Sequence, residues 1–191
     1  MSRVEEILAF WFGLPSESRY GKPHNFWFTK KPKFDQELQN NFLADYQQAA
    51  ARVLDHWHDS PRSCLALILL LDQFPRNIFR GTALAFATDH QALAAAKHAV
   101  AKGFDQELMT VERWFVYLPF EHSENFADQC QSVELFATLS HDPDSAATIN
   151  YAIRHHLVIE RFGRFPHRNK ILGRATTPEE AEFLKQPGSS F

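Results

Sequence analysis

Cysteine is scarce in this chain. Cys64 and Cys130 supply neither a disulfide framework nor the spacing of a metal site. Each sits in an apolar helical pattern, where a reduced, buried thiol is expected. Charge of one sign never accumulates in a long run, and the formal net charge is −3. That excludes the basic surface by which non-specific nucleic-acid binders displace counterions. Long apolar runs are missing too. The longest, Cys64 to Leu71, has eight residues, against the roughly 20 needed to cross a bilayer. Glu5 and Glu6 precede a short Phe10-Trp11-Phe12 cluster, a pattern unlike a signal peptide, so a cytoplasmic protein is expected. No segment sustains strand alternation and Asn-Gly hairpin signals are absent. The chain also lacks GxSxG, a Walker loop, a dinucleotide fingerprint and an HExxH pair. No cofactor and no metal is therefore expected.

What is present is a core and helix punctuation. Of the 191 residues, 45% are hydrophobic and 18 are Phe, which suits one domain over residues 1–191 with a sizeable core. Ser2 and Glu5 form a capping pair for a first helix ending near Gly13. Residues 14–33 read as a connection in which Phe26-Trp27-Phe28 anchors a loop to the core. A long helix is expected from Phe34 to Trp57 on the spacing of Leu38, Phe42, Ala49, Val53 and Trp57. Ser60-Pro61 opens a helix to Gln73 that is apolar on every side and so belongs at the centre. Further helices are expected from Thr88 or Asp89 to Gly103, from Asp105 to Leu118-Pro119, from Asn125 to Leu139, from Asp144 to Phe162, and after the Thr177-Pro178-Glu179-Glu180 capping box. About eight helices on short loops make an all-α domain.

Polar residues concentrate in three places. The first is Asp72-Gln73-Phe74-Pro75-Arg76-Asn77, continuing to Arg80. There Pro75 is expected to stop or bend the buried helix. Arg76 and Arg80 either cap that helix and pair with Asp72, or form a fork for a carboxylate or phosphate. The second is Glu121-His122-Ser123-Glu124, continuing to Asp128 and Gln129. Its histidine and acids suit acid–base work, and Glu124 and Asp128 are spaced to project from one helix face. The third holds Arg154-His155-His156, Glu160, Arg161, Arg164, Phe165-Pro166-His167-Arg168-Asn169 and Arg174. His156 shares a face with Glu160, whereas His155 points with Ile159 and Phe162, so the two histidines have different roles. Phe-Pro with Arg-Asn thus occurs twice, about 91 residues apart. Each copy is expected to end an apolar helix at a proline and deliver an Arg-Asn pair there. Counted together, the three segments carry an excess of three positive charges, as a site for an anion would.

Leu70 to Asn77, Leu118 to Glu124, and Arg161 to Asn169 with Leu172-Gly173-Arg174 together resemble a largely bacterial family catalogued as domain of unknown function 924. The resemblance runs from Phe10-Trp11-Phe12-Gly13 to Pro187-Gly188-Ser189-Ser190-Phe191. It implies a tetratricopeptide-like domain of helices packed as antiparallel pairs, and a histidine at His155. It implies no activity. Three readings follow. The first is a pocket for a small anionic ligand, formed by Asp72, Gln73, Arg76, Asn77, Arg80, Glu121, His122, Glu124, His155, Arg164, His167, Arg168 and Asn169. The second is a hydrolase with His122 or His155 as base beside Glu121 or Glu124. The third is a helical scaffold whose arginines take an acidic peptide, with the polar segments as a structural ion-pair network.

Overall fold

The computed structural model describes residues 1–190, so Phe191 of the closing motif lies outside the described residues. Among them are eight α-helices and no strand. They are α1 (Arg3–Phe12), α2 (Pro32–Ala50), α3 (Pro61–Ile78), α4 (Asp89–Ala101), α5 (Thr110–Glu121), α6 (Phe126–Ala137), α7 (Ala146–Phe162) and α8 (Pro178–Phe183). The fold is all-α. Helices adjacent in sequence pack on one another from α2 to α7, while α3 also touches α1 and α5. α3 is the hub because its apolar residues leave no polar face: Cys64 to Pro75 are all buried.

Local chemistry places most ends as expected. Ser2 accepts from the Glu5 N–H, Ser60 from Ser63, and Asn125 from Ala127 and Asp128. Thr177 and Glu180 make a reciprocal capping box. Gly163 closes α7 at φ 66°. In the 14–33 connection Trp27 is buried, stacks on Trp11 and donates to the Trp11 carbonyl at 3.0 Å, whereas Phe28 is exposed.

Four expectations need correction. The helix expected to reach Trp57 stops at Ala50. Arg52 adopts φ 63°, its N–H returns to Ala49 O and that of Val53 to Gln48 O. This is a glycine-type stop made without glycine, so no residue announces it. Asp105 opens only a short 3-10 turn, Phe104–Glu107, and α5 begins at Thr110. Cys130 is half-buried, while burial pushes the Cys64 thiol up to about 12. Finally, Pro75 does not end α3, and Pro119 does not end α5.

Pro75 survives inside α3 because its missing N–H is replaced. The carbonyl it leaves without an intrahelical donor is that of Leu71. The Thr88 hydroxyl donates to that oxygen at 2.6 Å. Thr88 therefore does not cap α4 with its side chain; it repairs α3. Thr88→Val is expected to lower stability by about 1–3 kcal/mol, the cost of a buried unpaired carbonyl. Urea unfolding checks this, and in a Pro75→Ala background the same change should cost much less.

Candidate polar centre

Because α3 continues through Pro75, its polar end sets Asp72, Gln73, Arg76 and Asn77 against α4, α5 and the chain after α7. The Asp72 side chain is 1% exposed. Its Oδ1 accepts from His122 Nδ1 at 2.7 Å and lies 3.1 Å from Arg76 Nη1; its Oδ2 accepts from Gln73 Nε2 at 2.6 Å. The Arg76 and His122 contacts outweigh burial and hold this carboxyl far below the usual range. Arg76 donates through both terminal nitrogens to Asp89, at 2.9 and 3.0 Å, and also to Asp72 O. Arg168 reaches the same Asp89 at 3.3 Å.

The Arg168 guanidinium lies 4.6 Å from the ring centroids of both Phe86 and Phe165, a cation held between two aromatic faces. Its side chain is 8% exposed and its Nε is buried without an acceptor. Burial, with Arg76 nearby, pushes its pKa down to about 10. Phe165 packs on His155 at 5.4 Å, and the His155 and His122 rings are 6.4 Å apart. His155 Nδ1 sits 2.8 Å from Tyr151 O and 3.0 Å from Glu121 Oε1, and Glu121 Oε2 is buried without a partner. The contacts close a circuit: Asp72, Arg76, Asp89, Arg168, Phe165, His155, His122 and back to Asp72. Each of the three polar segments contributes to it.

The chemistry of the histidines follows from their partners. Asp72 accepts the hydrogen bond of His122 Nδ1–H, which puts the lone pair on Nε2. Burial and Arg76 lower the His122 pKa, so the ring is neutral near pH 7. Its side chain keeps 14% of its surface. His167, 5.7 Å from Phe165 between ring centroids, is pushed down to about 3 by burial and then by Arg168. His156 lies outside the circuit against Phe126, ring centroids 5.1 Å apart.

Several candidates point elsewhere. Arg80 pairs with Asp35 of α2 at 3.0 Å and donates to Asn77 Oδ1. Arg164 pairs with Glu180 at 2.6 Å, holding that carboxyl down to about 2, and Asn169 donates to Glu180 as well. Arg161 pairs with Glu179. Glu124 accepts from Arg174 at 2.7 and 3.0 Å and from the Phe165 N–H. Asp128 instead takes Ser123 and Lys97, so the two acids do not share a site. The expected excess of three positive charges is therefore corrected: Asp35, Asp89, Glu179 and Glu180, together with Lys97, lie outside the counted segments and bring the sum to zero. Asp89 is the residue that sequence reasoning missed. At the start of α4 it looks like any acid favoured by a helix N-terminus. Two cavities, of about 140 and 330 Å³, share no residue with this centre.

A family profile described as "Bacterial protein of unknown function (DUF924)" matches residues 7–188. A solved structure of a protein of unknown function from Agrobacterium tumefaciens is 41% identical to this chain. The match covers 95% of this chain and 96% of that one, with a TM-score of 0.85. No curated protein matches.

The lowered His167 pKa fixes a pH window. The folded state resists a proton that the unfolded chain takes up near pH 6.5, so stability is lost as pH falls from about 6.5 to 3. Denaturant melts at stepped pH should show this slope, and His167→Gln should flatten it. Proton NMR should find the His167 ring untitrated at pH 5.

Proposed function

This chain belongs to the bacterial DUF924 family, and we propose that its polar centre binds a small anionic molecule through Arg168. The observation that carries this reading is the pairing of that guanidinium. Arg76 is fully engaged by Asp72 and Asp89. Arg168 shares Asp89 through one nitrogen at 3.3 Å, with Nε unpartnered. Desolvating a guanidinium without matching acceptors is costly. Phe86 and Phe165 hold its plane, so a ligand need not order it. A carboxylate or phosphate oxygen supplies the missing acceptor.

Asp72 and His122 favour a second reading, hydrolytic chemistry at the same centre. A neutral imidazole oriented by a buried carboxylate is the arrangement of a general base. His122 then takes a proton from water through Nε2, with Asp72 as the positioning residue. The packing of each helix on its sequence neighbour from α2 to α7 supports a tetratricopeptide-like arrangement for the domain.

Thermal-shift and calorimetric titration with acetate, pyruvate, citrate and inorganic phosphate test the binding reading. Arg168→Gln should weaken any ligand found by at least about tenfold, the value of one charge-assisted contact, with the melting temperature of the free protein kept or raised. Anions that bind Arg168→Gln as tightly as the unmodified protein refute it. For the hydrolytic reading, His122→Gln should abolish turnover in an ester and phosphoester screen. Asp72→Asn should move the pH–rate profile as well as its height.

A further inference from the structure

The polar centre has two unsatisfied groups, and a simple anion does not answer both. Its carboxylates are Asp72, Asp89, Glu121 and Glu124; its guanidiniums are Arg76, Arg168 and Arg174. One of these carboxylates differs from the rest in its partners. Asp72 has Arg76, Asp89 has Arg76 and Arg168, and Glu124 has Arg174. Glu121 has no arginine or lysine, only His155 at Oε1, and its Oε2 is buried with no donor. Its side chain is 3% exposed. An unsatisfied carboxylate oxygen at that depth is expensive.

Two defects of opposite sign thus stand on the same circuit. Arg168 lacks an acceptor at Nε, and Glu121 lacks a donor at Oε2. They hang from neighbouring links, since Arg168 lies on Phe165, Phe165 on His155, and His155 on Glu121. A bare anion answers the first defect and leaves the second. A bare cation does the reverse. We propose that the ligand carries both groups, a carboxylate for Arg168 and an ammonium for Glu121, as a free amino acid does. This rests on the reading of Arg168 as an anion contact and narrows it to a zwitterion. Opposite charges on one ligand leave the net charge of the centre unchanged while supplying both missing partners.

The test uses matched ligands on the unmodified protein. A panel of free L-amino acids is titrated by calorimetry. Each amino acid that binds is compared with its 2-hydroxy acid, which replaces the ammonium with hydroxyl, and with its amide, which removes the carboxylate charge. The expected result is an amino acid bound at least about tenfold more tightly than either relative, the value of one charge-assisted contact. Glu121→Gln should erase the preference over the hydroxy acid. Arg168→Gln should erase the preference over the amide. If the hydroxy acid binds as tightly as the amino acid, the zwitterion is refuted while the anion reading stands. If no amino acid binds but acetate, citrate or phosphate does, the result is the same. If none of these binds, both fall. The comparison among ligands does not depend on a variant that folds.

Discussion

The carboxylate of Asp72 is the constraint on which the rest of the centre depends. It is buried at the polar end of a helix that is apolar from Cys64 to Leu71. A charge placed there must be matched by close partners or the helix cannot stay central. Arg76 answers from the next turn of the same helix, His122 from the end of α5, and Gln73 from the adjacent position. Meeting that one charge fixes the register of α3 against α5. It also aims Arg76 at Asp89, which brings the start of α4 into the network.

This geometry is held in spite of the proline. A helix that stopped at Gln73 would leave Arg76 and Asn77 in a loop, with no fixed relation to Asp72. Because α3 continues, Arg76 stands four residues after Asp72 on the same helix, where arginine and aspartate meet naturally. The continuation needs a donor for the Leu71 carbonyl, and Thr88 provides it from the residue before Asp89. Two neighbouring residues at the head of α4 thus serve α3 in different ways. One completes its backbone and the other receives its arginine.

Much of this was legible in the sequence for physical reasons. Helix number followed from punctuation, because Ser60-Pro61, Asn125, Gly163 and Thr177-Pro178-Glu179-Glu180 act through local hydrogen bonds and backbone angles. That the three polar segments meet was also legible, since buried helices must satisfy their polar ends. The pairing was not. Arg80 and Arg164 stand in the same motifs as Arg76 and Arg168, yet they find Asp35 and Glu180. Distant acids decide which arginine is spent on structure, and no local pattern records them. The stop at Arg52 was hidden for a similar reason: a left-handed residue that is not glycine is set by the chain around it.

The two Phe-Pro-Arg-Asn copies illustrate how far spelling diverges from use. In the first, proline lies inside a helix and the arginine is bound on both sides by carboxylates. Its asparagine bonds back to Gln73 O within the same helix. In the second, Gly163 has already ended the helix, and Pro166 opens a short 3-10 turn, Pro166–Arg168. Arg76 bonds back to Asp72 O along its own helix, whereas Arg168 bonds to the distant Asp89. Arg168 projects between two phenylalanine rings, one of them from its own motif. Aromatic faces hold a guanidinium in place without consuming its N–H donors. The first copy is therefore saturated and structural, while the second is fixed in position with donor capacity to spare. A rigid cation with an unused donor is the feature that separates the second copy from the first.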